Sequence, residues 1–140
     1  MSSDDLPVVE FAFPGPLRDQ LVAAIVAGDK TTTTSLVADY ERENEPLPQP
    51  GLRQVVIDSA GNPVTVIETT AVRVLRLGEV DLDHALGEGE GFTTVAEWRT
   101  GHEQFWHSPE MRAELGDPGF TVSDDTLVVA ETFRLAADAT

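Results

Sequence analysis

The stretch LRQVVIDSAGNPVTVIETTAVRVLRL, residues 52–77, decides the fold class. Its two arms, Leu52–Asp58 and Pro63–Leu77, are rich in Val, Ile and Thr, which fit a pleated, half-buried surface. Between them Ser59-Ala60-Gly61-Asn62 supplies turn chemistry, so the stretch predicts an antiparallel hairpin. The second arm is long for one straight strand. Its alternation falters at Glu68–Thr70, the pattern left by a bulge or a sharp barrel bend.

Toward the N-terminus, Leu17, Leu21, Val22 and Ile25 recur at helical spacing, between Pro14-Gly15-Pro16 and Gly28. Proline suits a first turn and glycine a helix end, so a helix is expected over Pro16–Ala27. The run Thr31–Thr34 disfavours helix and suits an extended segment. Tyr40–Gly51, acidic and with three prolines, reads as a surface loop that can hold one helical turn. Residues 1–15 read as an N-terminal extension, a loose or weakly paired tail carrying the apolar Val8–Phe13.

Toward the C-terminus, Asp81 can cap a short helix through Leu86. Thr94 and Glu97 form a capping-box pattern heading a helix with Val95, Trp98, His102 and Phe105 on one face. A loop runs through Pro118, and Thr126–Leu135 reads as a last strand with Leu127, Val129, Phe133 and Leu135 on one side. Strands divided among helices without βαβ alternation predict an α+β domain over residues 16–135, built on a small β-barrel, with 136–140 as a C-terminal tail.

The 140 residues carry 25 acids against 9 bases, a net charge of −16. Such a field opposes nonspecific binding of duplex DNA, which normally needs a basic face. No apolar run approaches the length of a membrane span, so no membrane partner is expected. The first residues are polar and do not read as a signal peptide, which makes the cytoplasm the expected compartment. Cysteine is absent, which removes disulfides, thiolate zinc sites and a thiol nucleophile. Eight of the nine basic residues are arginines and Lys30 is the single lysine. Arginine cannot replace an amine that must release a proton, so a lone lysine in an arginine-biased chain marks Lys30 out.

Three constellations could carry chemistry. In Gly28-x-Lys30-x-x-Thr33 a lysine beside a hydroxyl can activate a nucleophile or clamp a carbonyl or phosphate. A regular strand would send Lys30 and Thr33 to opposite faces, so a kink is needed to unite them. The bland reading is a helix stop followed by an edge strand. In Gly87-Glu88-Gly89-Glu90-Gly91 two carboxylates flank a glycine, a pair whose pKa values could be split. The alternative is an exposed acidic turn. In the stripe Trp98, His102 and Phe105 the histidine is more ordinarily a hydrogen-bonded core residue than a catalyst, and the pair Trp98 and Trp106 could stack on a base or, equally, fill the core. His84, His102 and His107 lie near the glycine-rich turn in sequence and could join it in binding a metal, but no histidine–carboxylate spacing matches a metal motif, so neither a metal nor another cofactor is expected.

Taken in order, these segments resemble the ASCH domain family, which has a PUA-like fold. The resemblance rests on Gly28–Thr33, Leu47-Pro48 with Gly51, Val66–Val72, Glu88–Gly91, Trp98-Arg99 with His102 and Phe105, and Val128–Phe133. It implies a barrel ringed by helices, with a cleft lined by the Gly-x-Lys segment. Some family members are amidohydrolases of N4-acylated cytidine that use a lysine, a threonine three residues on and a glutamate. Lys30 and Thr33 match the first two, and Glu90 is the best match to the third. Gly28, Thr31, Glu88, Trp98 and His102 are the candidate substrate-binding residues around them. Other members bind RNA or cleave it. The resemblance therefore implies a nucleoside-like small molecule or single-stranded RNA as partner, with amide hydrolysis the leading activity. Ribonuclease activity, RNA binding and ligand binding without catalysis are the alternatives. The acidic loop at Glu41–Pro50 and the Trp98–Trp106 helix lengthen the chain beyond the compact amidohydrolases.

Overall fold

A computed structural model describes residues 6–136. Five strands and five helices follow one another as β1 (Val8–Val9), α1 (Pro16–Ala27), β2 (Thr32–Leu36), α2 (Val37–Glu43), β3 (Arg53–Ile57), β4 (Pro63–Arg76), α3 (Leu82–Gly87), α4 (Val95–Trp106), α5 (Pro109–Leu115) and β5 (Leu127–Leu135). The strands form a single sheet in the order β1-β3-β4-β5-β2. Every pairing is antiparallel except β1 with β3. The α+β class holds, but the sheet is open. It ends at β1 and β2 rather than closing into a barrel.

The hairpin forms where the turn residues place it, Arg53 facing Glu68 and Val55 facing Val66. The faltering alternation in β4 is a bulge. Thr69 pairs with Phe133 and Ala71 with Thr132, leaving Thr70 as the extra residue. Helix α1 has the expected bounds, and Gly28 ends it in a left-handed conformation at φ 84°.

Three local expectations change. Residues 37–43 form α2, ending at a left-handed Asn44, so the single turn expected after Tyr40 is the end of a helix that begins at Val37. The segment before Pro118 contains α5, capped by Ser108, whose hydroxyl accepts from the Met111 N–H. In β5 Leu127 and Leu135 are exposed while Val128 to Glu131 are all buried. The centre of that strand is covered on both faces, so a single apolar side does not describe it. At α4 the Thr94 hydroxyl accepts from the Glu97 N–H as expected, but the Glu97 carboxylate turns to the Thr93 N–H and hydroxyl.

The apolar core divides across the sheet. One cluster holds Leu36, Leu77, Trp98, Trp106 and Val128 beneath α4 and α5. The other holds Phe11, Leu21, Ile25, Val56, Ile67 and Phe133 beneath α1. No helix among the described residues is long and apolar enough to cross a membrane.

Candidate functional site

Strand β2 is an edge strand, and the end of α3 closes its open side. The Thr31 N–H donates to the Gly87 carbonyl (2.7 Å) and the Thr32 hydroxyl to the His84 carbonyl (2.7 Å). The glycine-rich turn then presses onto the backbone. Gly89 sits at φ +70°, and a Cβ there would lie 2.6 Å from the Asp29 carbonyl oxygen and 2.9 Å from the Lys30 Cα. Only glycine allows this approach.

The approach buries Lys30 and Glu88 together. The ammonium donates to Glu88 Oε1 at 3.1 Å, to the Thr32 carbonyl at 2.9 Å and, more weakly, to the Glu88 carbonyl at 3.4 Å. It also lies 5.7 Å from the centre of the Phe11 ring. All three ammonium hydrogens have acceptors, so Lys30 is held as a fixed cation.

Glu88 is equally saturated. Its Oε2 accepts from Trp98 Nε1 (2.8 Å) and from the Thr34 hydroxyl (2.8 Å), and lies 3.1 Å from His102 Nε2. Burial alone would raise its pKa, but the Lys30 charge outweighs it with help from His102 and Trp98, and the carboxyl falls well below the usual range.

His102 has an acceptor at each ring nitrogen, the Trp98 carbonyl at Nδ1 (2.9 Å) and Glu88 at Nε2. A ring that donates to both acceptors is an imidazolium. Burial disfavours that charge, and Glu88 more than compensates, raising the pKa of His102. His84 goes the other way. Its Nε2 lies 2.7 Å from the Thr34 hydroxyl, whose hydrogen is committed to Glu88, so Nε2–H donates. Burial lowers its pKa accordingly.

Glu90 stands beside this set with no hydrogen bond to its carboxyl among the described residues. Burial raises its pKa, and the Lys30 charge only partly offsets that. The two acids of the turn are thus split, one locked in the ionised form and one pushed toward neutrality.

The structure brings Lys30, Glu88, Glu90 and His102 together, with Gly28 and Thr31 in the adjoining backbone. Lys30 takes Glu88 rather than Glu90 as its direct partner. Trp98 is fully buried, with its ring stacked on His102 at 4.3 Å, and acts on the site through its bond to Glu88. Thr33 goes elsewhere. It faces Glu131 across the β2–β5 ladder, while its neighbours Thr32 and Thr34 point at His84 and Glu88. Among the described residues no hydrogen bond joins Thr33 to Lys30. Sequence reasoning missed Thr34, whose only visible signal was the alternation of the threonine run, and considered His84 only as a metal ligand.

Glu88, Glu90 and His102 bring ligand-type atoms within 4.8 Å of one another. Both ring nitrogens of His102 and the Glu88 oxygens are already engaged, and Lys30 supplies the charge a cation would bring, so the donor set does not fit a metal. A separate cleft of about 280 Å³ is lined by Arg76, Glu79, Trp98, Arg99 and Asp124, and it does not include Lys30 or the glycine-rich turn.

The ASCH domain family model matches residues 10–137. A crystal structure of an ASCH domain from Lactobacillus crispatus JV V101 is similar at 30% identity and a TM-score of 0.79, covering 93% of this chain and 79% of that one. Protein EF3133 from Enterococcus faecalis V583 is similar at 27% identity and the same TM-score of 0.79, over 93% of this chain and 76% of its own. The hypothetical protein PH0355, at 18% identity and a TM-score of 0.54 over 84% of this chain and 93% of its own, shares the fold alone. No curated protein matches the chain. The chain belongs to the ASCH domain family.

Proposed function

We propose that the protein hydrolyses an amide on a nucleoside-sized substrate, with an N4-acylated cytidine as the substrate class. The observation that carries this reading is the division of labour around Glu90. Lys30, Glu88 and His102 are engaged with one another and with neighbouring groups, whereas Glu90 has a free carboxyl with a raised pKa. A free carboxyl whose pKa is raised by burial is suited to take and return a proton.

In this reading Glu90 takes a proton from the water that attacks the acyl carbon. The oxyanion that forms is stabilised by the field of Lys30 and His102. The C–N bond then breaks, and Glu90 returns its proton to the departing amine, leaving a carboxylic acid and cytidine. Water is the nucleophile because Thr33 projects toward Glu131, and Lys30 acts as a fixed charge rather than as a base.

The arginines support a small substrate over a polyanion. Six of the eight form ion pairs with acids: Arg18, Arg53, Arg73, Arg76, Arg99 and Arg134. Pairing at these positions neutralises the charges that a nucleic-acid groove would require.

The test is to incubate the protein with N4-acetylcytidine and follow cytidine by chromatography, beside Glu90→Gln. Turnover by the wild type that falls by about 10²-fold or more in a folded Glu90→Gln variant is the expected result. A wild type that leaves the substrate intact for hours at high enzyme concentration would remove the reading.

A further inference from the structure

Strand β2 presents alternate threonines to helix α3, and His84 meets both of them. Its carbonyl accepts from the Thr32 hydroxyl at 2.7 Å, and its ring Nε2 lies 2.7 Å from the Thr34 hydroxyl. Its own N–H donates to Asp81, the residue that caps α3. The end of the helix is packed without slack, since a Cβ on Gly87 would lie 2.7 Å from Thr32 Cγ2. The seating of α3 on β2 therefore sets where the 87–91 turn begins, and with it the positions of Glu88 and Glu90.

The hydrogen bonds here run in one direction. A threonine hydroxyl has a single hydrogen, and an ionised carboxylate can only accept. Thr34 therefore donates to Glu88 Oε2 at 2.8 Å and accepts from His84. The same Oε2 faces Trp98 Nε1 at 2.8 Å and His102 Nε2 at 3.1 Å, while Oε1 faces Lys30. Trp98 and His102 both come from α4, so Thr34 is the donor that holds Oε2 toward β2. Without it the carboxylate is drawn toward α4, and the charge it divides among three donors falls on two.

We propose that Thr34 and His84 are positioning residues of the site. His84 orients the Thr34 hydroxyl, and Thr34 fixes Glu88 so that its negative charge is divided between Lys30 and His102. Both act through Glu88 and not on the substrate. The catalytic consequence rests on the hydrolysis proposed above. The oxyanion meets the field of two cations, and that field keeps its balance only while Glu88 stays between them. A carboxylate drawn toward α4 screens His102 more and Lys30 less.

The titration of His102 reads this arrangement without any substrate. The charged groups facing its ring are Glu88 and Glu90, and the rings of Trp98, Trp106 and Phe92 around it carry no charge. In Thr34→Val the midpoint of His102, followed by NMR of the ring, is expected about half a pH unit above the wild type, because Glu88 has one donor fewer. Thr34→Ser keeps the hydroxyl and is expected to return the midpoint to its wild-type value. With N4-acetylcytidine, Thr34→Val is expected to lower kcat about tenfold with KM nearly unchanged. A midpoint that Thr34→Val leaves in place or lowers, or that Thr34→Ser fails to restore, overturns the proposal, as does an unchanged kcat in an active enzyme. Should the valine variant fail to fold, nitrogen NMR of the wild-type His84 ring decides. A hydrogen on Nε2 supports the proposed direction, and a bare Nε2 overturns it. A wild type inactive on N4-acetylcytidine, with the His102 midpoint still raised in Thr34→Val, supports the positioning and removes the hydrolysis alone.

Discussion

Lys30 and Glu88 form an ion pair at 3.1 Å in which each side chain is only 2% exposed. A pair this deep is costly to desolvate, and it persists because every remaining donor and acceptor is used. Lys30→Met or Glu88→Gln alone strands the other partner's buried polarity and is expected to destabilise by about 3–5 kcal/mol. The double variant is expected to lose less than the sum of the two, because it leaves no uncompensated charge. Urea denaturation of the three variants measures this. Strictly additive losses would show that the two groups do not depend on each other.

Gly89→Ala is expected to be among the most disruptive small substitutions in the chain. Its Cβ would meet backbone at 2.6 Å, at a φ of +70° that L-residues rarely adopt. The turn must lift away from Asp29 and Lys30, carrying Glu88 and Glu90 with it. A stability loss on the order of 2 kcal/mol or more is expected, with hydrolysis falling as well. Gly91→Ala is the control for φ alone, because it also has a positive φ of +85° but open space around its Cβ. Equal losses in the two variants would show that the close approach is immaterial.

The pH dependence of stability should change sign across the two buried acids. Glu88 is depressed below its ordinary 4.5, so its contribution is complete above that pH and is lost as pH falls toward its folded pKa. Glu131 is raised from 4.5 to about 7, so the folded state keeps a proton that the unfolded chain has released. Between those two values stability therefore falls as pH rises, by on the order of 2–3 kcal/mol. Denaturation of Glu131→Gln at pH 5 and pH 8 should lack this component, while His84 and His102 still titrate in both proteins. A variant that keeps the full wild-type slope would place the titration elsewhere.

Much of the local structure was legible in the chain. The bounds of α1, the 52–77 hairpin and the interruption near Thr70 follow from periodicity, turn residues and broken alternation, all of which act within a few residues. Helices α2 and α5 were not legible. Seven residues make too few turns for periodicity to show, and such helices persist by packing, here α2 against α5 and β5. Closure of the barrel could not be read either, because it depends on whether the two end strands meet.

The sequence by itself determined the charge, the single lysine, the glycines at 87, 89 and 91 and the alternating threonines, and so the ingredients of a site. Only the tertiary structure decided how they are used. Pairing of β2 with β5 turns Thr32 and Thr34 toward His84 and Glu88 and sends Thr33 to Glu131. A shift of one residue in that register would exchange the two sets, because side chains alternate with a period of two. Packing of Gly89 on Lys30 likewise makes Glu88 the partner and leaves Glu90 free. Both choices depend on contacts between segments far apart in the chain, about which neither segment's own residues carry information.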